Sequence, residues 1–333
     1  MAAPLPDVGT LRDVALTAGE DTLPDTLTPW IDQFNTASEN ATPLLNTFYD
    51  ATYIGLQQLI ANQSGFWQDF FNDPTSSTIT SINSEIQSHL AAVLTGYGLQ
   101  NATTATTNTV LEHTIEGTGF SGHYLLFSEV PGFLPADEAS TLTPIIDFLG
   151  SPASGIIMGD LGPFISPWVA LFNSISDGDT FNETLANMVG AFFNGADLNL
   201  DSLIPAIESS GYLPAGMNVE NLDFAFGGLL SPGGVGADAD GVGGSIFNSV
   251  GIDLTGVPVL GTIDAPSQPI GPIGALEGWA QTIADLLGWS GSGSPLADVT
   301  LPTIPTDLLD GGASAATVAA DLSTWVQDLL AAF

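Results

Sequence analysis

A chain of 333 residues with 37 aspartates and glutamates and a single cation, Arg12, carries a formal charge of −36, yet 44% of its residues are hydrophobic and only 11% charged. A disordered acidic tail combines high charge with few apolar residues, so this composition predicts a folded chain, long enough for about two domains. One cation cannot neutralise a row of phosphates, which excludes nucleic acids, anionic membrane surfaces and nucleotides held by Lys or Arg.

The remaining polar positions are mostly Ser, Thr, Asn, Gln and Gly, neutral groups that suit contact with lipid, glycolipid or a second copy as well as with water. The absence of cysteine removes disulfides, thiol chemistry and cysteine-based zinc sites, and fits an exported bacterial-type protein as well as a cysteine-free cytosolic one. Met1-Ala2-Ala3-Pro4-Leu5-Pro6 has neither a basic n-region nor an apolar h-region, so no signal peptide is expected within the chain. Ala-Ala-Pro reads as the start of a mature form. A single-helix membrane span needs about 20 consecutive apolar residues. The nearest stretch, Leu161 to Phe172, is shorter and broken by Pro163 and Pro167. Nor does strand alternation run the length of the chain as a transmembrane barrel requires.

Residues 1–27 read as an irregular N-terminal arm, and 28–216 as a helical region. Thr28-Pro29 opens the first helix as N-cap and N1. Trp30, Phe34, Ala37, Ala41, Leu45 and Phe48 share one face of it, and Pro43 predicts a kink or restart. Ile54, Leu56, Leu59 and Ile60 continue the pattern towards Gly65 and the aromatics Phe66, Trp67, Phe70 and Phe71. Ile79, Ile82, Ile86, Leu90, Val93 and Leu94 predict a second helix that stops near Gly96 and Gly98. The Thr/Asn-rich run Asn101 to Asn108 reads as a solvated loop. Val110–Ile115 and Tyr124–Phe127 lean towards β on either side of Gly117-Thr118-Gly119, which allows a hairpin insertion near 110–130. Leu142 to Ile175, rich in Gly and Pro, predicts several short, closely packed helices. Thr180-Phe181-Asn182-Glu183 is a capping box leading a helix that carries Phe181, Leu185, Met188, Val189, Phe192 and Phe193. A short helix is expected at Leu203 to Glu208.

Residues 217–270 form a Gly/Pro-rich extended region, with strand signals at Leu222, Phe224 and Phe226, at Val250–Leu254 and at Val257–Ile263. Residues 271–333 predict two amphipathic helices. One carries Ile273, Leu276, Trp279, Ile283, Leu286 and Leu287; the other carries Val318, Leu322, Trp325, Val326, Leu329, Leu330 and Phe333. The fold class is therefore mainly α, with multiple short amphipathic helices, a minor β component and a Gly/Pro-rich extended region.

Candidate chemistry is sparse. Gly119-Phe120-Ser121-Gly122-His123 approaches the nucleophile elbow Gly-x-Ser-x-Gly but ends in His, and a triad would have to draw on His89, His113 or His123. Glu112, His113, Glu116 and His123 offer metal-ligand types at a spacing that matches no strong signature. Asp177-Gly178-Asp179 and Asp238-Ala239-Asp240-Gly241 resemble fragments of calcium loops without the terminal bidentate Glu. The glycines at 227, 228, 233 and 234 read as turn and packing residues, since no basic residue supports a nucleotide loop. The sequons at Asn40, Asn62, Asn101 and Asn182 are expected by chance. No enzyme activity, no cofactor and no catalytic, cofactor-binding or metal-ligating residue is expected. The aromatic faces Phe66–Phe71 and Phe181–Phe193 read as core, while leaving room for an apolar surface towards lipid or a second subunit.

Four motifs occur in order: Gly55-Leu56-Gln57-Gln58-Leu59-Ile60-Ala61-Asn62-Gln63, Phe226-Gly227-Gly228-Leu229-Leu230-Ser231-Pro232-Gly233-Gly234, Gly243-Gly244-Ser245-Ile246-Phe247-Asn248 and Gly271-Pro272-Ile273-Gly274-Ala275-Leu276. In combination they make the chain resemble, from about Thr28 to Trp289, the outer-membrane porin GjpA family of mycolic-acid-containing actinobacteria. The resemblance implies an exported protein of the outer mycolate membrane that forms water-filled channels. It carries over no site residues; without a long apolar helix or a closed barrel, a pore would need self-association into a homo-oligomer, and the apolar faces predict contact with envelope lipids such as mycolates. Acidic side chains lining such a channel would favour cations. The other reading is a non-catalytic structural or lipid-binding protein of the cell envelope.

Overall fold

Apolar residues at steps of three and four become helices through most of this chain, and period-two alternation becomes a small sheet. The computed structural model describes residues 25–117, 121–133, 136–211, 213–236, 241–297 and 299. Among them the fold is mainly α with a minor β component. The helices are α1 (Thr28–Asn72), α2 (Ser76–Gly96), α3 (Thr104–Leu111), α4 (Gly122–Phe133), α5 (Ala136–Leu149), α6 (Pro152–Asp177), α7 (Phe181–Asn194), α8 (Ile204–Glu208) and α9 (Pro272–Leu286). The strands β1 (Ala196–Asn199), β2 (Asn218–Phe226), β3 (Val250–Val257) and β4 (Gly261–Ala265) make one antiparallel sheet in the order β1-β2-β3-β4. The arm at 1–24, Asp238 to Asp240 and the expected last helix at 318–333 lie outside the described residues.

The chain divides into two units, Met1–Ala51 with Thr95–Thr282, and Thr52–Leu94 with Ile283–Phe333. In the first, one face of the sheet buries Met217, Val219, Leu222, Leu254 and Ile263 against Leu125 and Leu126 of α4 and Ile204 and Ile207 of α8. Asn182 and Asn194 of α7 hold α1: Trp30 Nε1 donates to Asn182 Oδ1 at 3.1 Å, and Asn194 Nδ2 donates to Gln33 O at 2.9 Å. In the second unit Ile54, Phe70, Ile82 and Leu286 are buried, and Asn62 Nδ2 donates to Leu287 O at 2.7 Å. There Trp67 stacks on Phe71 with centroids 5.7 Å apart.

Beneath α6 the backbone approaches closely at three glycines. Methyl groups added at Gly155 and Gly162 would lie 2.2 Å from Gly244 O and 2.3 Å from Gly227 O, and one at Gly159 would lie 2.8 Å from Gly271 C. Between these contacts Ser154 Oγ accepts from Ile246 N at 3.0 Å, and Ser166 Oγ lies 2.9 Å from Gly227 O and 3.0 Å from Phe226 O. Three of the four glycine motifs meet here. Gly233, at φ +80°, approaches Gly243 so closely that a Cβ would sit 2.0 Å from its carbonyl oxygen. Asn248 Nδ2 donates to Gly234 O.

Several local expectations are corrected. The hairpin allowed near 110–130 is helix: α3, a π-turn over Glu112–Glu116 and then α4. Val110, Leu111, Thr114 and Ile115 are all buried, two pairs four residues apart that share a helix face, where a hairpin's alternation would turn neighbours to opposite sides. The solvated loop expected over Asn101 to Asn108 instead contains the start of α3. Thr103 caps it by accepting from Thr106 N at 3.2 Å, which offsets the weak helix propensity of Thr and Asn. The centre is not a set of short helices, because α6 runs unbroken through Pro163 and Pro167. Each internal proline loses a helix bond, and the backbone contacts of the small-residue face hold the helix regardless. Pro43 likewise lies inside α1 without ending it. Strand β1 was not expected within 28–216.

Candidate functional site

The sequence motifs of catalytic type resolve into structural roles. Ser121 is buried; its Oγ donates to Ile115 O at 2.9 Å and accepts from Tyr124 N at 3.0 Å, capping α4. His123 is buried with Nε2 2.7 Å from Val250 O, and burial pushes its pKa below the ordinary value. Ser121 thus ties α4 to the π-turn before it, and His123 ties α4 to β3. Gly178 ends α6 in the left-handed conformation at φ +78°, and Asp179 accepts from Asn187 Nδ2 at 3.0 Å, so Asp177-Gly178-Asp179 is a helix stop. Thr180 and Glu183 form the expected capping box, which holds the Glu183 carboxyl below its usual range through hydrogen bonds from the Thr180 hydroxyl and backbone. Among the described residues no three His, Asp or Glu side chains converge as a metal site.

What stands out is the outward face of α6. Ile157, Leu161, Phe164, Trp168, Phe172 and Ile175 recur at steps of four, three, four, four and three, and all six are exposed; Phe164, Trp168 and Phe172 are 71%, 59% and 63% exposed. The opposite face buries Gly155, Gly159, Gly162, Ser166, Ala170 and Ser174. Side-chain size is thus inverted relative to an ordinary surface helix, with the small residues inside and the large apolar ones outside. Successive ridge residues lie on one stripe about 27 Å long at 1.5 Å per residue. Its exposed apolar area is on the order of 700 Å², above the few hundred usual for a monomer. Among the described residues α6 is the one helix long and apolar enough to cross a membrane by length and composition, and 44% of its apolar window is buried within the protein. The helix is thus not broken at Pro163 and Pro167 as the sequence suggested. The paired helix α7 shows a second stripe, Phe181, Leu185, Val189 and Phe193.

Beside the C-terminal end of this ridge the uncovered face of the sheet is acidic. Asp197, Asn199, Asn221, Asp223, Asp253 and Asp264, with Phe172 and Asp177 at the rim, line an open cleft of about 790 Å³. The register sets Asn199 opposite Asp223, Asn221 opposite Asp253 and Asp253 opposite Asp264. Like charges facing across a strand pair repel. Desolvation raises the Asp253 pKa, and its hydrogen bond and charge interaction with Asp264 raise it further, as does the charge on Asp223. Burial, and then the charge of Asp223, raises Asp197 as well.

One further carboxyl is enclosed. Glu277 of α9 is only 4% exposed; one of its oxygens meets Thr47 Oγ1 of α1 and the other has no hydrogen-bond partner among the described residues. Desolvation pushes its pKa up, against the opposing effect of the Thr47 hydrogen bond.

The ridge was legible in the spacing from Ile157 to Ile175, and the prolines inside it concealed that signal. The acidic face required the strand register, which no local pattern gives. Scanned against protein-family models, characterised proteins and solved structures, the chain finds no significant match. The functional reading therefore rests on the geometry of the ridge and the sheet.

Proposed function

We propose that this chain is a non-catalytic, exported cell-envelope protein that works at a lipid surface. The observation that carries the reading is the α6 ridge, six large apolar side chains exposed in register on a helix whose other face is locked to the protein. Burying such a face in hydrocarbon gains about 25 cal/mol per Å², and nothing in its chemistry calls for a reacting group. Co-flotation of the purified chain with lipid vesicles tests the reading. Binding that disappears on placing glutamine at Phe164 and Trp168 supports it, and a chain that stays with the soluble fraction in every lipid refutes it.

The acidic sheet face favours a second reading, an oligomeric porin-like protein of the outer mycolate membrane that passes small hydrophilic solutes and prefers cations. Carboxylates bordering a water-filled path concentrate cations and repel anions. Planar bilayers should then show conductance steps with cation preference, and silent or anion-selective membranes count against it.

A further inference from the structure

We propose that the ridge of α6 takes lipid whose headgroup bears no net charge, zwitterionic or uncharged glycolipid, and is driven off anionic lipid. This rests on the lipid-surface reading and adds the chemical class of the lipid. The argument is one of charge complementarity. Proteins that settle on anionic leaflets carry Lys or Arg beside their apolar face. Along α6 there is none: the 26 residues of Pro152–Asp177 contain Asp160 and Asp177 and no Lys, Arg or His. Asp160 lies exposed beside Leu161, so a headgroup above the stripe meets a carboxylate. At the other end Phe172 borders the cleft lined by Asp177, Asp197, Asp223, Asp253 and Asp264. The whole chain offers Arg12 against 37 acids. An anionic headgroup placed over either end of the ridge therefore finds repulsion and no compensating cation.

The same charges argue against a second copy as occupant. Ridge-to-ridge packing would bring Asp160 and the cleft acids of both copies together, within about 8 Å of screening length at physiological salt, with no cation to separate them. A hydrocarbon layer covers the stripe without supplying charge. Its roughly 27 Å length is close to the thickness of a bilayer's apolar core, about 30 Å.

The test uses the full chain with phosphatidylcholine vesicles and with the same vesicles carrying phosphatidylglycerol, each at low and high salt. Binding to phosphatidylcholine is expected. On the anionic vesicles it should fall by about tenfold or more at low salt and recover as salt screens the repulsion. Phe164→Gln with Trp168→Gln should abolish binding to phosphatidylcholine while the circular-dichroism melt stays that of the parent, because both side chains are already exposed. Equal or tighter binding to the anionic vesicles at low salt overturns the proposal and leaves the lipid-surface reading intact. Binding unaffected by the double variant overturns the assignment to α6. If no vesicle binds, both proposal and reading fall; sedimentation then shows whether the ridge joins two copies, as a dimer that the double variant dissociates.

Discussion

Gly162→Ala tests whether α6 is held by backbone contact. The added methyl carbon would sit 2.3 Å from Gly227 O and 3.1 Å from Gly227 N, both backbone atoms that cannot rotate away. A carbon–oxygen contact needs roughly 3.3 Å, so the helix must retreat by about 1 Å. Retreat stretches the Ser166 contacts to Gly227 O and Phe226 O, now 2.9 and 3.0 Å, at about 1 kcal/mol. Overpacking adds 1–3 kcal/mol, on the order of a buried methylene forced into a full core, and the better helix propensity of alanine returns about 1 kcal/mol. The net expectation is a loss of about 2 kcal/mol, read as a lower urea midpoint in far-ultraviolet circular dichroism. The contrast is Gly65→Ala in α1, where an added Cβ meets nothing within 4 Å. That change should stabilise by up to about 1 kcal/mol. A Gly162→Ala protein as stable as the parent would refute the close-contact account of α6.

Glu277→Gln should flatten the pH dependence of stability. A carboxyl with a raised folded pKa contributes stability that is complete below its ordinary value of 4.5 and is lost as pH rises through the folded value. The amide keeps the Thr47 contact without a charge, so its thermal midpoint should exceed the parent's near neutral pH and match it in acid. Asp253→Asn follows the same sign, removing one of two facing carboxyls; a midpoint that rises at neutral pH and not below the ordinary aspartate value of 3.8 is expected, and an unchanged difference across pH would contradict the raised Asp253. Thr180→Ala removes the side-chain half of the α7 capping box, leaving the bond from its own backbone N–H to Glu183, and should cost about 1 kcal/mol in a denaturant titration.

Much of this fold could be read from residue spacing. The helix of Ile79 to Leu94, the capping box at Thr180, the strand at Leu222 to Phe226 and the helix from Pro272 each carry a local signal strong enough to survive in the folded chain. The segments that misled share a cause, since in each the tertiary contact outweighs the local preference. Thr104–Leu111 is helical because Thr106 and Val110 are buried and Thr103 supplies the cap, despite a composition that favours turns. Pro163 and Pro167 stay helical because the glycine and serine face of α6 meets backbone at Gly227, Gly244 and Gly271, partners 61 or more residues away that no local window contains. The acidic cleft depends on Asp253 lying opposite Asp264, and a slip of one residue in register would turn one of them to the other face.

The inverted packing of α6 has an energetic consequence that bears on function. Burying a large apolar side chain stabilises a fold by about 1.5–3 kcal/mol, and this chain forgoes much of that at Phe164, Trp168 and Phe172 while filling the opposite face with Gly155, Gly159 and Gly162. An ordinary surface helix turned the other way would gain more from its own core. The arrangement suits a protein whose large side chains are covered from outside, by a surface that removes them from water without asking for charge complementarity. The near absence of cations narrows that surface further. Lipid without net charge satisfies both constraints, whereas a nucleic acid, an anionic leaflet or a second ridge of the same sign satisfies at most one.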